Sequence, residues 1–378
     1  MSEMLITAGR VVGDTAVFEP GWVRLRDDRI VGVGSGVPVG AVSHVLSGLT
    51  LVPGFVDLHA HGGGGASFDT GEVSPAIEFH RGQGTTTMVA SLVTAAIVDL
   101  DRRVRELREL VADGELAGIH LEGPWLSARH PGAHEPALLR DPEPADVDRL
   151  LAAGDGAVRM VTIAPELPGA FAAVRRIVGF GALAAVGHTD ADYRTTKAAI
   201  EAGVTVGTHL FNGMRPVHHR EPGPVLALLD DQRVAVELIA DGIHLHPAVL
   251  AHAARTVGPG RYLLVTDAMA AAGAADGDYR LGGLPVEVRS GVARIAATGA
   301  IAGSTLTLAG AVRHAVRDGG LPLVDAVRAA STVPARLLGR GDIGALAPGR
   351  RADLVGLDVD LRPQMVMRAG EWITPPAQ

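Results

Sequence analysis

Two histidines two residues apart, His59 and His61, are the first residues along the chain whose types and spacing could do chemistry. They end an apolar stretch, Pro53 to His61, that is typical of a short β-strand. Successive strand side chains alternate between faces, so both imidazoles point the same way and form a pair of candidate metal ligands. Four glycines, Gly62 to Gly65, cannot continue the strand, and we expect a loose loop there with room for an ion and a substrate. Such a pair also occurs without a metal, so the other polar residues must decide.

Further metal-competent side chains stand where other predicted strands end. Glu122 follows Ile119 to Leu121, His188 follows Val186-Gly187, His209 follows Gly207-Thr208, and Asp267 follows Val265-Thr266. With His59 and His61 they make four imidazoles and two carboxylates, a set that is difficult to explain by packing alone. Crowded neutral imidazoles would be poorly satisfied polar groups unless a cation lay between them. The set therefore predicts a divalent metal site.

The chemistry expected of this site is hydrolysis. A zinc-type ion lowers the pKa of a bound water to about 7, which supplies a hydroxide nucleophile at neutral pH, and it polarises a carbonyl group. Asp267 stands alone at the end of its strand, where it could take the proton from that water and pass it to the leaving group. Its alternative role is to cap the turn that follows.

The elements that must position these residues are alternating strands and helices. Apolar runs alternate with amphipathic stretches such as Leu100 to Ala112, and this alternation predicts a parallel sheet wrapped by helices. Eight strand-helix repeats favour a (β/α)8 TIM-like barrel, whose active site lies at the carboxyl ends of its strands. The predicted strands are Phe55 to His61, Thr86 to Thr94, Gly118 to Gly123, Val158 to Ala164, Leu183 to His188, Val204 to Leu210, Val234 to Ala240 and Tyr262 to Asp267.

The two chain ends carry short β-like runs separated by turn residues. We expect them to pair into one small β-sandwich domain formed by both termini, with residues 1–52 and 343–378 flanking a hydrolase barrel at 53–342. Within the barrel region, Leu284 to Val288 and Val292 to Ile295 predict an inserted hairpin, and Leu323 to Leu338 predicts one long helix.

Composition excludes several classes of function. There is no cysteine, so the metal must be held by nitrogen and oxygen. A net charge of -8 offers no basic surface for nucleic acid. No apolar run is long enough to span a membrane, and the amino terminus lacks a signal-peptide pattern. We therefore expect a cytoplasmic protein.

The chain resembles the metal-dependent amidohydrolase superfamily through these strand-end residues and through the closing run Gly344 to Val355. Within the superfamily it is most similar to the N-acetylglucosamine-6-phosphate deacetylases. The resemblance implies hydrolysis of N-acetyl-D-glucosamine 6-phosphate to D-glucosamine 6-phosphate and acetate. The motifs that carry it cover nearly the whole chain: 120–125, 132–134, 187–189, 208–214, 220–223, 239–244, 265–268 and 302–304.

The resemblance also implies a role for each matching residue. Glu122, His188 and His209 would hold the principal metal ion, and His59 and His61 would hold a second one in members that keep this pair. Zinc is the expected metal, with iron, cobalt or manganese as alternatives. The only lysine, Lys197, falls in a predicted helix and so cannot bridge two metals as a carboxylated lysine does in hydantoinases. The substrate-binding residues implied are Ala133, His134, Asn212, Gly213, Arg220, Asp241, His244, Ile301, Ala302 and Gly303.

Among these, His134 would contact the substrate near its acetamide group, and Arg220 and His244 would bind the 6-phosphate. Family members are dimers in which the neighbouring subunit helps to complete the phosphate pocket, so we expect a homodimer. Two alternatives remain. One is another amidohydrolase, acting on a cyclic amide or a nucleobase, and the other is an inactive barrel that serves as a binding or assembly module.

Overall fold

The computed structural model describes residues 3–14 and 16–376, so five residues of the predicted terminal β domain lie outside the described residues. The strands are, in chain order, β1 (Glu3–Val12), β2 (Val17–Phe18), β3 (Gly21–Arg26), β4 (Arg29–Ser35), β5 (His44–Pro53), β6 (Phe55–Ala60), β7 (Gly62–Gly63), β8 (Ala66–Ser67), β9 (Thr85–Leu92), β10 (Gly118–Glu122), β11 (Val158–Ile163), β12 (Leu183–Val186), β13 (Val204–Gly207), β14 (Ala235–Ile239), β15 (Tyr262–Val265), β16 (Gly277–Leu281), β17 (Leu284–Arg289), β18 (Val292–Ile295), β19 (Leu354–Leu357), β20 (Pro363–Arg368) and β21 (Glu371–Thr374).

Helices follow most barrel strands and bury one apolar stripe against them. In α2, for example, Ile97, Leu100, Val104 and Leu107 are buried at the three- and four-residue spacing of a helix face. The helices are α1 (Ser74–Gly82), α2 (Ile97–Ala112), α3 (Pro144–Gly154), α4 (Ala170–Gly179), α5 (Tyr193–Ala202), α6 (Gly223–Asp230), α7 (Pro247–Val257), α8 (Leu308–Arg317), α9 (Leu323–Ala329) and α10 (Thr332–Leu337). No helix of the described chain is long and apolar enough to cross a membrane.

The predicted barrel is confirmed. Its strands pair in parallel in the order β15-β14-β13-β12-β11-β10-β9-β6, so all their carboxyl ends meet at one mouth. The ring closes between the last strand and the first, just beyond β15, where Ala268 bridges to Ala60. There the amide of Asp267 donates to the carbonyl of His59 at 2.8 Å, and the amide of His61 donates to Ala268 at 2.7 Å.

All eight predicted barrel strands are present, but each ends one to three residues before its predicted end. At three of them, β12, β13 and β15, the reason is local backbone geometry. His188, His209 and Asp267 have φ values of 45°, 25° and 51°, in the left-handed region that a strand does not use. The chain therefore leaves the sheet just before each of these side chains and turns it toward the centre of the mouth.

The two chain ends form a separate sheet, as predicted. β1 to β5 come from the amino-terminal part and β19 to β21 from the carboxyl-terminal part, and they join where β19 pairs antiparallel with β5. Apart from the parallel pair of β1 and β5, the pairings are antiparallel. Its own core includes Ile6, Leu25 and Met365. The domain boundaries at 52/53 and 342/343 stay a prediction.

The glycine run after His61 is not a loose loop, and this expectation was wrong. Gly62–Gly63 pairs with Ala66–Ser67 as a tight hairpin, turned by Gly64 and Gly65, whose φ values are 58° and 86°. A Cβ on Gly63 would lie 2.8 Å from Nε2 of His80, so a larger residue does not fit. The glycines allow close packing and do not line the cavity of the site.

Two details of the carboxyl-terminal third also differ from expectation. The helix predicted over Leu323 to Leu338 is broken into α9 and α10, because in a continuous helix Pro334 would have no amide proton to donate and its ring would clash with the carbonyl of Ala330. The predicted hairpin is present as β17 and β18, and β16 adds a third strand that its polar composition concealed.

Candidate metal centre and active site

All six residues predicted to form the metal site lie together at the barrel mouth. His59, on β6, and His61, just after it, project from the closing seam, and the same seam brings Asp267 from the end of β15 beside them. Oδ1 of Asp267 lies 3.5 Å from Nε2 of His59 and 3.2 Å from Nε2 of His61. His188 and His209 reach the mouth from beyond β12 and β13, and Glu122 ends β10. All six side chains are buried or nearly so.

Glu122 is the centre of this arrangement, because its two oxygens face two different groups of nitrogens. Oε2 lies 3.5 Å from Nε2 of His59 and 3.2 Å from Nε2 of His61. Oε1 lies 3.2 Å from Nε2 of His188 and 2.8 Å from Nε2 of His209. One carboxylate thus joins two sets of donors, which is the geometry of a site that can hold two metal ions.

The other ring nitrogens show which atom of each imidazole faces the centre with a lone pair. Nδ1 of His59 lies 3.0 Å from the carboxylate of Glu237, Nδ1 of His61 lies 3.2 Å from the carbonyl of Ser91, and Nδ1 of His188 lies 2.9 Å from the carbonyl of His130. Because carbonyl and carboxylate oxygens only accept, Nδ1 carries the proton in the neutral ring and Nε2 carries the lone pair.

These lone pairs provide a test of whether a cation fits. Nε2 of His59 lies 3.1 Å from Nε2 of His61, and Nε2 of His188 lies 3.1 Å from Nε2 of His209. In the neutral rings of His59 and His61, with the protons on Nδ1, the facing nitrogens have no hydrogen to share, so a cation between or beside them removes a repulsion. Imidazole nitrogen and carboxylate oxygen are ligands that suit zinc and similar divalent ions. The residues present therefore fit a divalent metal.

His134 is oriented the opposite way. Its Nδ1 accepts a hydrogen bond from the backbone amide of Thr94 at 3.2 Å, so in the neutral ring the proton lies on Nε2. Nε2 faces the centre, 3.4 Å from Oε2 of Glu122. Although Glu122, His134 and His188 lie close enough to be a ligand group by distance alone, a protonated nitrogen cannot bind a metal. His134 is a hydrogen-bond donor.

The electrostatics of the mouth favour positive charge at its centre. Burial lowers the pKa of His61, but its hydrogen bonds to Asp267 and Glu122 outweigh burial and raise that pKa to about 9. Burial raises the pKa of Glu122, yet the surrounding histidines, His59 foremost, hold it well below its usual value. Burial lowers the pKa of His134 to about 4. Two ionised carboxylates and a neutral His134 therefore surround the centre.

Two glycines hold the imidazole of His188 in place. Gly132 and Gly213 have φ values of 54° and 59°, and a Cβ on either would lie 2.6 Å and 2.8 Å, respectively, from a ring atom of His188. Real Cβ atoms do not approach that closely, so the backbone at both positions forms a slot that only glycine leaves open.

A cavity of about 230 Å³ opens onto this centre. Seven of the ten predicted substrate-binding residues line it: Ala133, His134, Asn212, Gly213, His244, Ile301 and Gly303. His244 is paired with Asp241, whose carboxylate lies 2.6 Å from its Nδ1. Burial lowers the pKa of His244, but the hydrogen bond and charge of Asp241 raise it above its usual value. The cavity therefore has a metal-site end and an end lined by His244, whose pKa Asp241 raises.

The other three predicted substrate-binding residues do not line this cavity. Asp241 lines a neighbouring cavity of about 360 Å³ and holds His244 in place. Ala302 is fully buried between its two cavity-lining neighbours. Arg220 lies on an exposed loop with Nη1 2.8 Å from Nε2 of His219, and it lines neither cavity.

Sequence reasoning missed two buried residues that support the centre. Glu237 accepts the proton of His59 Nδ1, and the signal for it was a charged residue inside the apolar strand β14. His120 lies beneath the centre, with Nδ1 2.9 Å from the hydroxyl of Ser91 and Nε2 2.8 Å from that of Thr162. Its nitrogens are both occupied, so it is part of the floor and not a ligand.

Lys197 is confirmed to be remote from the centre. It lies in α5, and its Nζ pairs with Asp231 at 2.7 Å. A carboxylated lysine therefore does not bridge two metals here.

Comparison with known proteins gives a consistent result. The sequence profile of the amidohydrolase family matches residues 50–373. A mutant N-acetyl-D-glucosamine-6-phosphate deacetylase from Mycobacterium smegmatis, solved in complex with N-acetyl-D-glucosamine-6-phosphate, is 53% identical with a TM-score of 0.97, over 99% of this chain and 100% of that one. N-acetylgalactosamine-6-phosphate deacetylase of Escherichia coli O157:H7 is 36% identical over 93% of this chain and 96% of its own. N-acetylglucosamine-6-phosphate deacetylase of Vibrio furnissii is 36% identical over 83% and 80%, respectively.

Proposed function

The chain belongs to the amidohydrolase family, and from this premise we infer that it is a metal-dependent amide hydrolase that deacetylates N-acetyl-D-glucosamine 6-phosphate. The products are D-glucosamine 6-phosphate and acetate. The observation that carries this inference is the likeness, over almost the whole chain, to a deacetylase solved with that sugar phosphate.

We assign the metal ligands from the geometry described above. Glu122, His188 and His209 would hold the principal ion, and His59 and His61 would hold a second one. Zinc suits this set of nitrogen and oxygen donors best. When bound, the metal supplies an activated water at neutral pH and polarises the acetamide carbonyl.

Asp267 is the proton carrier. Burial raises its pKa, but His59 and His61 outweigh burial and hold the pKa far below its usual value, so the carboxylate is ionised and can accept a proton. A water oxygen attacks the acetamide carbon, and its proton passes to Oδ1 of Asp267. The same proton then moves to the sugar nitrogen as the carbon-nitrogen bond breaks, which releases the amine and acetate.

The remaining cavity residues bind and orient the substrate. Nε2 of His134 carries a proton and donates a hydrogen bond to the acetamide oxygen, which becomes more negative as the carbonyl is attacked. His244, whose pKa Asp241 raises, binds the 6-phosphate at the other end of the cavity. Backbone amides of Asn212 and Gly213 and the segment from Ile301 to Gly303 hold the phosphate and the sugar ring.

Arg220 suggests how the phosphate site is completed. It is exposed and does not line the cavity of its own subunit, and its loop also exposes Val217, which is 47% accessible. We propose a homodimer in which Arg220 of each subunit reaches the phosphate end of the other subunit's cavity. A guanidinium can bind a phosphate through two parallel hydrogen bonds. Phosphate binding in the neighbouring subunit would therefore be the function of this exposed arginine.

The substrate also bears on the compartment. A sugar phosphate carries charge that a bilayer core excludes, so the enzyme must work where its substrate is phosphorylated. We propose that this compartment is the cytoplasm.

The test is acetate release from N-acetyl-D-glucosamine 6-phosphate by the purified protein, with and without a chelator. We expect release that the chelator abolishes and that added zinc restores. The same assay with N-acetyl-D-galactosamine 6-phosphate tests the second candidate substrate, which the Escherichia coli relative favours. A cyclic amide and a nucleobase serve as controls for the other amidohydrolase activities. Absence of acetate release from both sugar phosphates would overturn the proposal.

A further inference from the structure

Glu237 contacts both halves of the metal centre, although it lies outside the proposed ligand set. It comes from β14, and its side chain is fully buried. One oxygen, Oε2, accepts the Nδ1 proton of His59 at 3.0 Å and the backbone amide proton of His209 at 3.1 Å. His59 belongs to one set of donors on Glu122, and His209 belongs to the other.

These two hydrogen bonds do different things. The bond to Nδ1 holds the proton of His59 away from the centre, so that Nε2 keeps its lone pair. The bond to the amide of His209 holds the backbone where it leaves β13 with a φ of 25°, a conformation that a non-glycine residue adopts only when its surroundings impose it. The carbonyl of Glu237 accepts the next amide, that of Leu210, at 2.9 Å. Glu237 therefore fixes the side chain of His59 in one ligand set and the backbone of His209 in the other.

The second oxygen of Glu237 also indicates that this carboxylate is present for its charge and for its position against His59. Oε1 is buried and has no hydrogen-bond partner among the described residues. A group kept only for packing would not leave a polar atom unsatisfied, since an unsatisfied buried oxygen costs stability. The carboxylate is better explained as a strong acceptor placed against His59.

We propose that Glu237 is a positioning residue for metal binding, which sets the proton of His59 on Nδ1 and couples the geometry of the two metal positions. This inference rests on the proposed metal ligands. Groups behind a metal-binding histidine raise its basicity and fix its orientation, and their loss typically weakens metal affinity by about 10- to 100-fold.

The experiment measures zinc retained per chain across a series of chelator concentrations for the parent, Glu237→Ala and Glu237→Gln. We expect Glu237→Ala to lose zinc at a chelator concentration about 10- to 100-fold lower than the parent. Glu237→Gln keeps an acceptor oxygen without the charge, so we expect it to lie between the two. Asp231→Asn is the control, because it removes a buried carboxylate that pairs with Lys197 and Arg233 far from the centre. Its zinc retention should match the parent.

A second arm separates positioning from a general loss of fold. In a His59→Ala background, Glu237→Ala should cause a smaller further loss of zinc than in the parent, because only its hydrogen bond to the His209 amide remains to be lost. Equal zinc retention by the parent and Glu237→Ala, or an undiminished effect in the His59→Ala background, overturns the inference. A parent that retains no zinc at all overturns the ligand assignment as well, so the two failures are distinguishable.

Discussion

The barrel mouth and the exposed loop that carries Arg220 hold their functional side chains by different means. At the mouth, each metal-site histidine except His209 has its outer nitrogen hydrogen-bonded to a fixed acceptor, and the side chains are almost inaccessible. On the loop, Arg220 is exposed and contacts the neighbouring His219. The metal-site side chains of the mouth are therefore held by contacts within one chain, whereas the role of Arg220 depends on the proposed dimer.

The largest effect expected at the mouth is that of Asp267→Asn. The amide keeps the size of the carboxylate but cannot take up a proton, so we expect kcat to fall by about 10²- to 10⁴-fold. Acetate release gives the rate, with bound zinc measured on the same sample. Asp360→Asn, at an exposed position remote from the cavity, should keep the rate of the parent. An Asp267→Asn enzyme as fast as the parent would remove Asp267 from the mechanism.

His134 provides the next test, because it is expected to be a hydrogen-bond donor among side chains that accept hydrogen bonds or bind the metal. We expect His134→Ala to lower kcat/KM by about 10²-fold through loss of a hydrogen bond to the acetamide oxygen. His134→Gln should recover part of the activity, since its amide can donate from a similar place. Both variants should retain zinc as the parent does. Loss of zinc in His134→Ala would instead make His134 a ligand, and His252→Ala, on the exposed side of α7, is the matched control.

His80, which lies in α1 and is hydrogen-bonded to the hairpin beside the mouth, makes the free energy of unfolding depend on pH. Burial lowers the pKa of His80 to about 4, although its hydrogen bond to the Gly62 carbonyl opposes this, whereas the unfolded chain has the ordinary value of 6.5. Between these values the unfolded chain binds a proton that the folded chain does not. The contribution of neutral His80 to the free energy of unfolding is therefore fully present above pH 6.5. It decreases as the pH drops, by about 2 kcal/mol near pH 5.

Urea denaturation of the parent and of His80→Gln at about pH 7 and pH 5 measures this contribution. Glutamine can still donate to Gly62 but does not titrate, so the pH dependence of its free energy of unfolding should be smaller by that amount. Equal slopes in the two proteins would show that His80 is not buried in its neutral form.

Arg220→Ala should have the smallest effect, and it tests most directly the contrast between the barrel mouth and the exposed loop. We expect KM for the sugar phosphate to rise about 10-fold with little change in kcat, because a phosphate contact contributes mainly to binding. A nonphosphorylated acetamido sugar should react equally with both proteins. Arg102→Ala, an exposed arginine on α2, serves as the control.

Mixing subunits shows which cavity Arg220 serves. Asp267→Asn and Arg220→Ala subunits each lack one function, but if Arg220 acts across the dimer, a mixed dimer contains one cavity with both residues intact. We expect the mixture, after subunit exchange, to have a lower KM than Arg220→Ala alone. No change after exchange would place Arg220 at its own cavity.

The sequence predicted the residues of the mouth well because strand ends are encoded locally. His59, His61, Glu122, His188 and His209 could be placed from apolar runs and parallel order alone, since parallel strands share one mouth. The outer partners could not be found in this way. Glu237, the Ser91 carbonyl and the Thr94 amide act across strands distant in sequence, and only the closed barrel brings them behind the histidines.

Backbone conformation was the other limit. The sequence suggested flexibility for the glycines after His61, but their use is close packing against His80 and residues 270–272. The position of Arg220 was also not predictable, because an exposed loop lacks the alternating apolar pattern that identifies strands. The proposed phosphate-binding role of Arg220 rests on resemblance, which does not say which subunit the residue serves.

The seam that closes the barrel has one more consequence. The amide of Asp267 and the carbonyl of His59 share one of the hydrogen bonds that close the ring, so the proposed acid-base group and the first histidine cannot drift apart while the barrel stays closed. Heat or denaturant that opened the ring at this point would end turnover at the same moment, and activity in this molecule should report directly on the integrity of its architecture.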